Sequence, residues 1–531
     1  MSTGSTFSPD VVVIGAGPTG LTTALFLGLR GVRTLVVERN ATTSDEPRAV
    51  SLADESLRML DQIGVLEALA PEVMFDIGNR YYGVGDRLLA EVRALPSPQG
   101  YPAKSVFDQP FLEEVLAGAA AERENIEVRF DTEARIVSID PAVVELTGPA
   151  GVETLRPQWI IGCDGGRSET RKALGYELKG STQKHRWVCY DVLEEPARER
   201  FAEMRCNGIR PFVVAPGEKD RCRYEFMLLP DDDLDEMVSF EKVRELLAPY
   251  RDLTPEQLRR ARVYVAQERI AEHLTKGRVT LAGDAYHLMP PFAGQGLNAG
   301  VRDAANVAWK VAAMVHRRAN TTLIDTYEQE RRPHAEQMVR LSVRLGKVIM
   351  ATGRRRTQLR DALIRALRII PPVNDYVTQM RFMRPAAFAA GVVVPAGDDV
   401  SKTLRELVGR SVPNLPVGEG RLDAHLGTGW ALLTTVAADR VPAAVREIAE
   451  LVEAPVLAVG EQPGALRPAG PAGWLTEATR PTYVLVRPDR YVAAAFTDAG
   501  VAAVDRMLRT WFVAPSAANG ETLSGGEKQH A

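Results

Sequence analysis

The chain has 531 residues, 45% of them apolar and 25% charged, a length that calls for two or three domains and a balance that suits packed cores. With 65 basic and 69 acidic side chains the net charge is −4, too even for a nucleic-acid footprint. No apolar run nears the ~18 residues that cross a bilayer, and four cysteines without CxxC spacing or a histidine at ligand spacing argue against a metal site.

Met1–Asp10 has neither the basic start nor the apolar core of a signal peptide, so a cytoplasmic location is expected, with the cysteines reduced and mostly buried. Val11–Ile14 is wholly apolar and β-branched, the pattern of a strand buried on both faces of a parallel sheet. It enters Gly15-Ala16-Gly17-Pro18-Thr19-Gly20, after which Leu21, Ala24, Leu25 and Gly28 recur at helical spacing. Gly31 ends that helix, and Thr34–Val37 is a second strand closing on Glu38. Gly15 permits the tight turn, Gly17 lets the backbone approach a pyrophosphate, and Gly20 lets helix and strand pack closely. The helix start offers free N–H groups and partial positive charge to phosphates. Glu38, 18 residues past the last glycine, has the reach for a ribose diol. A single such motif near the N-terminus, with no second GxGxxG downstream, favours FAD as the resident dinucleotide.

Trp159–Gly162 reads as a buried strand breaking at Cys163-Asp164-Gly165-Gly166-Arg167-Ser168, with Ser168 placed to cap a helix through Arg171 to Leu174. The segments from about Asp76 to Lys104 and Ser181 to Ile270 interrupt this first domain, the second being rich in β-prone runs. Within it Cys222–Leu229 alternates, with Arg223, Glu225 and Met227 on one face and Tyr224, Phe226 and Leu228 on the other. Arg278–Ala285 is a third strand ending in Gly283-Asp284, followed by Pro290-Pro291, Gly294-Gln295-Gly296 and a helix from about Leu297 through Lys310. The two glycines let backbone lie close to a flat ring, and the helix start favours a ring that becomes anionic, as reduced flavin does. Arg344–Phe388 is a basic, helix-prone connector whose Arg354-Arg355-Arg356 reads as a solvated helix face. Past Pro395-Ala396-Gly397, strands at Trp430–Val436, Val456–Val459 and Tyr483–Val486, with a return at Tyr491–Phe496, alternate with helices at Ala443–Val452 and Ala499–Trp511. Ser516–Ala531 has the composition of a disordered tail.

GAGPTG at Gly15–Gly20, PRAV at Pro47–Val50, CDGGRS at Cys163–Ser168 and AGDAYHLMPPFAGQGLNAG at Ala282–Gly300 together resemble the class A flavoprotein aromatic hydroxylases, over most of Val11 to Leu345. Similarity to the 3-(3-hydroxyphenyl)propionate hydroxylases extends to Arg210-Pro211, Arg223–Met227, Asp325–Arg332 and Val486–Arg490. The organisation then reads as α/β: a Rossmann-like FAD-binding domain (1–75, 105–180, 271–345) interleaved with a mainly β substrate domain (76–104, 181–270), a helical connector (346–392), a thioredoxin-like C-terminal α/β domain (393–515) and the tail (516–531). No cysteine follows Cys222, so packing or dimerisation, not thiol chemistry, is what the C-terminal domain is expected to do.

The resemblance implies a monooxygenase in which NADH or NADPH, without a Rossmann site of its own, reduces FAD. O2 then gives a flavin C4a-hydroperoxide that hydroxylates a phenol. A 3-(3-hydroxyphenyl)propionate-like acid is the first expectation for the substrate, and a resorcinol-type or polyketide phenol the second. A flavin-binding protein without oxygenase activity is the third reading; its sign would be a damaged flavin loop. Nucleic acid and membrane are not expected partners, and a homodimer stays open.

By the same resemblance the cofactor contacts are Gly15, Gly17, Pro18, Thr19, Gly20, Glu38, Arg39, Arg48, Gln109, Asp164, Gly165, Gly283, Asp284, Pro291, Gly294, Gly296, Leu297 and Asn298. Glu38 takes the ribose, Arg48 the neighbourhood of pyrophosphate and flavin, Gln109 the adenosine side, Asp284 the sugar-alcohol chain, and Gly296, Leu297 and Asn298 the ring. Pro290 and Pro291 line the place where oxygen reacts. A phenol needs a base or hydrogen-bond acceptor to raise its electron density. Asp54 sits where phenol hydroxylases of this class carry an aspartate, though Asp54 or Glu55 could equally cap the helix running to Leu60. One face of the Arg223/Glu225 strand is expected to meet the substrate. A substrate carboxylate would call for an Arg fork, Arg210 first and Arg223 second, with a structural salt bridge as the alternative for either. His287 has no partner visible in the sequence and is given no catalytic role.

Overall fold

The computed structural model describes residues 7–46, 48–468 and 480–513. The expected tail, 516–531, and Pro47 of the PRAV segment lie outside them. By internal contacts the chain divides into two compact units, one of Met1–Ala305 with Arg331–Pro385 and one of Asn306–Glu330 with Ala386–Ala531. No helix among the described residues is long and apolar enough to cross a membrane.

The first unit is built on two large sheets. A six-stranded sheet runs in the order Thr275–Lys276, Val279–Leu281, Trp159–Gly162, Val11–Ile14, Thr34–Val37, Ile126–Arg129. All its neighbours are parallel except the first pair. Val11–Ile14 and Thr34–Val37 are buried at every residue because helices cover them, Pro18–Gly28 packing against Gln109–Ala121. The parallel register aligns Ile14, Gly162 and Leu281 across three adjacent strands, so the turns that follow all emerge from one edge of the sheet. That edge, at the carboxyl ends of parallel strands, is where α/β sheets bind ligands.

The second sheet has eight strands, in the order His287–Leu288, Leu258–Ala271, Leu178–Val192, Cys222–Met227, Phe212–Pro216, Phe201–Arg205, Gly78–Tyr82, Leu88–Val92. The alternation along Cys222–Met227 settles which face is core. Tyr224, Phe226 and Leu228 pack with Tyr190, Phe212 and the helix Phe240–Leu247, and the Phe212 and Phe226 rings stack at 4.8 Å. Arg223 and Glu225 therefore point to the opposite face. A small sheet, Ser51–Ala53, Lys104–Phe107 and Val73–Met74, lies in the same unit.

The helix expected over Leu297–Lys310 spans Gly296–Val315, since its apolar stripe continues through Val311, Met314 and Val315 until Arg317 turns left-handed at φ 56°. The next helix, Asp325–Ile349, runs across the boundary expected at 345/346, and Arg354–Arg368 follows with its arginine run exposed.

In the second unit a four-stranded sheet runs Val456–Ala458, Ala431–Thr434, Tyr483–Val486, Val492–Phe496, the first pair parallel and the others antiparallel. Helices Ala443–Leu451 and Val501–Trp511 pack together. Two segments singled out in the sequence meet here without exposure. Arg487 grips Glu330 through two 2.7 Å bonds, while Asp489 and Lys310 complete the cluster at 2.7 Å each. A closed set of buried charges of this kind is costly to break.

Candidate active site

The glycine-rich turn is held by contacts that only glycine allows. At Gly15 φ is 106°, and a Cβ would lie 2.5 Å from the Cys163 carbonyl oxygen. A Cβ at Gly20 would lie 1.9 Å from the Gly15 carbonyl oxygen, so helix and strand meet backbone to backbone. Gly17 differs: nothing stands within 4 Å of a Cβ there, and no side chain caps the N-terminus of Pro18–Gly28. Open space thus fronts a row of unbonded donors. Glu38 closes one side of the turn, accepting from the Ala16 N–H at 3.0 Å and from Asn40.

The other two turns converge on this one. Cys163 donates its N–H to Ile14 and Ala282 to Gly162. Thr19, in the first helical turn, fills the space beside Gly283 and Gly300, where a Cβ would come within 2.5 and 2.3 Å of its hydroxyl. Arg171 bonds the carbonyls of Gly166 and Ala285, tying the CDGGRS turn to the Gly283–Ala285 turn. Ser168 caps the short helix Glu169–Ala173 as expected, while Asp164 is occupied by the Ser168 hydroxyl and the Thr170 N–H. Gly165 faces open space.

Asp284 projects from its turn with the side chain accessible, yet surrounding protein is dense enough that burial raises its pKa against the pull of His287 and Arg48. Behind the turn, hidden from solvent, Asp303 accepts from the Gly283 N–H at 3.1 Å, from Arg331 at 2.8 Å, and pairs with His287 at 2.8 Å. Burial works to raise the Asp303 carboxyl, but Arg331 and His287 together hold it below its ordinary range. The sequence showed no partner for His287 because Asp303 lies a full helical stretch further on, and only the fold brings them together.

Gly294, Gly296 and Leu297 form the second part of the flavin loop, and a Cβ at Gly296 would meet nothing within 4 Å. The Asn298 side chain is buried and taken: it accepts from the Ala53 N–H at 2.8 Å and donates to Ser51 and Gly294, anchoring the loop to the strand Ser51–Ala53. Gln109 is likewise committed to the Ala49 N–H and Glu113. Arg39 and Arg48 are exposed. Pro290 is buried and Pro291 exposed, and Phe292 beside them meets Trp187 of the large sheet edge-on at 5.5 Å.

Asp54 opens the helix Asp54–Gln62, but its carboxyl caps nothing beyond the adjacent Glu55 N–H; its other oxygen accepts from the Ser97 hydroxyl. Burial raises its pKa, the direction a proton acceptor working near neutral pH needs. On the sheet, Arg223 holds Asp191 through 2.7 and 3.2 Å bonds and reaches the Arg48 carbonyl at 3.1 Å. Tyr264 donates to Glu225 at 2.9 Å, and burial raises the Glu225 carboxyl. Arg210, the first choice for a substrate carboxylate, takes its alternative role, a structural salt bridge. Asp232 already grips it with two oxygens, and its side chain is only 16% exposed. That ion pair ties Arg210 to the turn Leu229–Asp232.

These residues fit FAD. The three turns leave open space before Gly17, Gly165 and Gly296, the helix end facing it lacks a side-chain cap, and the acids Glu38 and Asp284 stand on or beside these turns. No group of three or more metal-ligating side chains occurs among the described residues.

Comparison with known proteins agrees with the geometry. A model of the FAD binding domain matches residues 8–342, and one of the aromatic-ring hydroxylase C-terminal region matches 405–515. A 3-(3-hydroxy-phenyl)propionate/3-hydroxycinnamic acid hydroxylase of Mycolicibacterium smegmatis is 38% identical over 430 residues, covering 80% of this chain and 76% of the relative. Another, from Burkholderia vietnamiensis, is 34% identical over 529 residues, covering 94% and 96%. Among solved structures, the OxyS anhydrotetracycline hydroxylase of Streptomyces rimosus superposes with a TM-score of 0.73 at 29% identity over 95% of this chain and 99% of its own. The ternary complex of aklavinone-11 hydroxylase with FAD and aklavinone gives 0.74 at 25% identity over 96% and 99%. The chain belongs to the FAD-dependent aromatic-ring hydroxylases, monooxygenases that hold FAD and are reduced by NAD(P)H.

Proposed function

We propose that this enzyme hydroxylates a phenolic carboxylic acid of the 3-(3-hydroxyphenyl)propionate type with NAD(P)H and O2. The observation that carries the reading is the meeting of three glycine turns around one open cleft, in a chain whose relatives at 34–38% identity bear that hydroxylase name. Bound FAD would supply the redox chemistry that couples NAD(P)H and O2 to ring hydroxylation, with the second oxygen atom leaving as water. The chain's own part is to orient and to move a proton. Gly15, Gly17, Pro18, Thr19 and Gly20 take the diphosphate on the helix end, and Glu38 the ribose. Asp164, Gly165, Gly283 and Asp284 line the ribityl side, while Pro291, Gly294, Gly296 and Leu297 take the ring, with Asn298 fixing their loop. Arg39, Arg48 and Gln109 flank the adenosine and pyrophosphate. Asp54 accepts the phenolic proton, and Arg223 with Glu225 forms the polar wall of the substrate side, opposite Pro290.

The domain division 1–75, 105–180 and 271–345 for FAD, 76–104 and 181–270 for substrate, and 346–392 as connector is part of the proposal. So is a thioredoxin-like domain over 393–515, supported by a sheet in which Ala431–Thr434 pairs parallel with Val456–Ala458 and antiparallel with Tyr483–Val486. Its role is packing or assembly, a homodimer being the form to test by light scattering. A cytoplasmic setting accords with four cysteines that are all unpaired and buried.

A polyketide phenol is the second reading, favoured by the solved hydroxylases that superpose over nearly the whole chain. The test is NADH oxidation by the purified yellow protein against a panel of hydroxyphenylpropionate, hydroxybenzoate, resorcinol and polyketide phenols. Strong stimulation by the arylpropionate supports the first reading, and stimulation by polyketides alone the second. A colourless protein that takes up no FAD ends both.

A further inference from the structure

With Arg210 held by Asp232 and Arg223 held by Asp191, the two guanidinium groups expected to meet a substrate carboxylate already have carboxylates of their own. A different cation stands in the right place. Lys104 begins the strand Lys104–Phe107 and shares a face with Val106, which packs with Ile77, Met204, Tyr81 and Phe292. It lies opposite Ala53, the residue whose N–H is held by Asn298 of the flavin loop. Its ammonium donates to the Asn79 amide oxygen, and no carboxylate among the described residues comes within ion-pair distance. Asn79 and Tyr81 alternate on the same face of the strand Gly78–Tyr82, so amide, phenol and ammonium stand together beside the apolar cluster of Val106.

Lys104 and Tyr81 keep some accessible surface, yet burial alone lowers the lysine to about 8 and burial foremost raises the tyrosine to about 12. A pKa of about 8 leaves the lysine mostly protonated at neutral pH. An enclosed ammonium with one neutral partner is costly, and an anionic ligand is what would relieve that cost.

We propose that Lys104 is the specificity residue that binds the substrate's carboxylate, with Asn79 fixing the ammonium and the Val106–Phe292 wall receiving the aromatic ring. This rests on the phenolic-acid reading and names the residue that selects for the acid. It predicts a substrate with its carboxylate on a short chain from the ring, because the cation lies beside the apolar wall rather than at the protein surface.

The test uses the FAD-loaded, full-length enzyme with 3-(3-hydroxyphenyl)propionate and its primary amide, measuring Kd from the flavin absorbance change and kcat/KM from NADH oxidation. Lys104→Met is expected to weaken binding of the acid about 10- to 100-fold, the value of one charge-assisted contact, while the amide shifts little, so the acid preference collapses. Lys104→Arg is expected to restore much of that preference. Lys104→Gln, which keeps a polar end without the charge, should collapse it as Met does and serves if the Met variant does not fold. A variant that still prefers the acid as strongly as the wild type overturns the assignment, as does an equal loss for acid and amide. A wild type that binds neither compound overturns the phenolic-acid reading itself, a result separate from any variant.

Discussion

Gly17→Ala separates the architecture of the turn from its ligand. The residue has φ −77° and ψ −178°, which alanine adopts without strain, and nothing lies within 4 Å of the added Cβ. The folded apoprotein should therefore be unharmed or stabilised by about 0.4–1 kcal/mol, through the lost freedom of the unfolded chain. The methyl group, however, occupies the space through which the diphosphate approaches the uncapped helix end. If two charge-assisted bonds of about 1.5–3 kcal/mol each are lost, FAD binding weakens by about 3–6 kcal/mol, or roughly 10²- to 10⁴-fold. The assay is titration of stripped apoprotein with FAD by flavin fluorescence, beside thermal melts of both apoproteins by circular dichroism. Gly20→Ala is the contrasting control, because its Cβ would lie 1.9 Å from the Gly15 carbonyl oxygen and should lower the melting temperature of the apoprotein itself. A Gly17→Ala protein that binds FAD like the wild type would refute the placement of the diphosphate, and one whose apoprotein melts several degrees lower would refute the claim of open space.

Asp54→Asn should keep FAD and lose most phenol hydroxylation, together with the acid limb of the kcat/KM profile that Asp54's ionisation sets; an unchanged profile removes Asp54 from the chemistry. Burial raises the folded pKa of Asp54 above its ordinary value, so its contribution to stability falls as pH rises through that pKa, and the variant should melt higher than the wild type at pH 7 but not near pH 4. Asp303→Asn removes the carboxylate that Arg331 holds at 2.8 Å with its guanidinium only 1% exposed, so about 3–5 kcal/mol of stability should go, read as a lower denaturant midpoint. The same variant should bind FAD more weakly, since Gly283 is held by that carboxylate; a midpoint and an affinity like the wild type's would count against the buried support.

What could be read along the chain was whatever is local in its cause. Val11–Ile14 and Thr34–Val37 declare buried strands by composition, and the three glycines declare the turn, because each conformation depends on its own residues and near neighbours. The strands and helices after Pro395 were legible for the same reason, within a residue or two at their ends. Helix length was less so: Gly296–Val315 outran its expected end, as nothing in the sequence around Lys310 halts a helix.

Charge pairing was the part that only the tertiary structure decided. For Arg210 a substrate fork and a salt bridge were both open, and Asp232, 22 residues away, holds it; Arg223 finds Asp191, and His287 finds Asp303, each across a turn or crossover that no local pattern encodes. Lys104 carried no motif, and its lack of an acid can be seen only once Asn79 and the Val106 wall are placed around it. A backbone conformation is set within a few residues, whereas the worth of a charge depends on everything folded around it, and so the sequence declared the cofactor's cradle while the fold alone chose the cations left to meet a substrate.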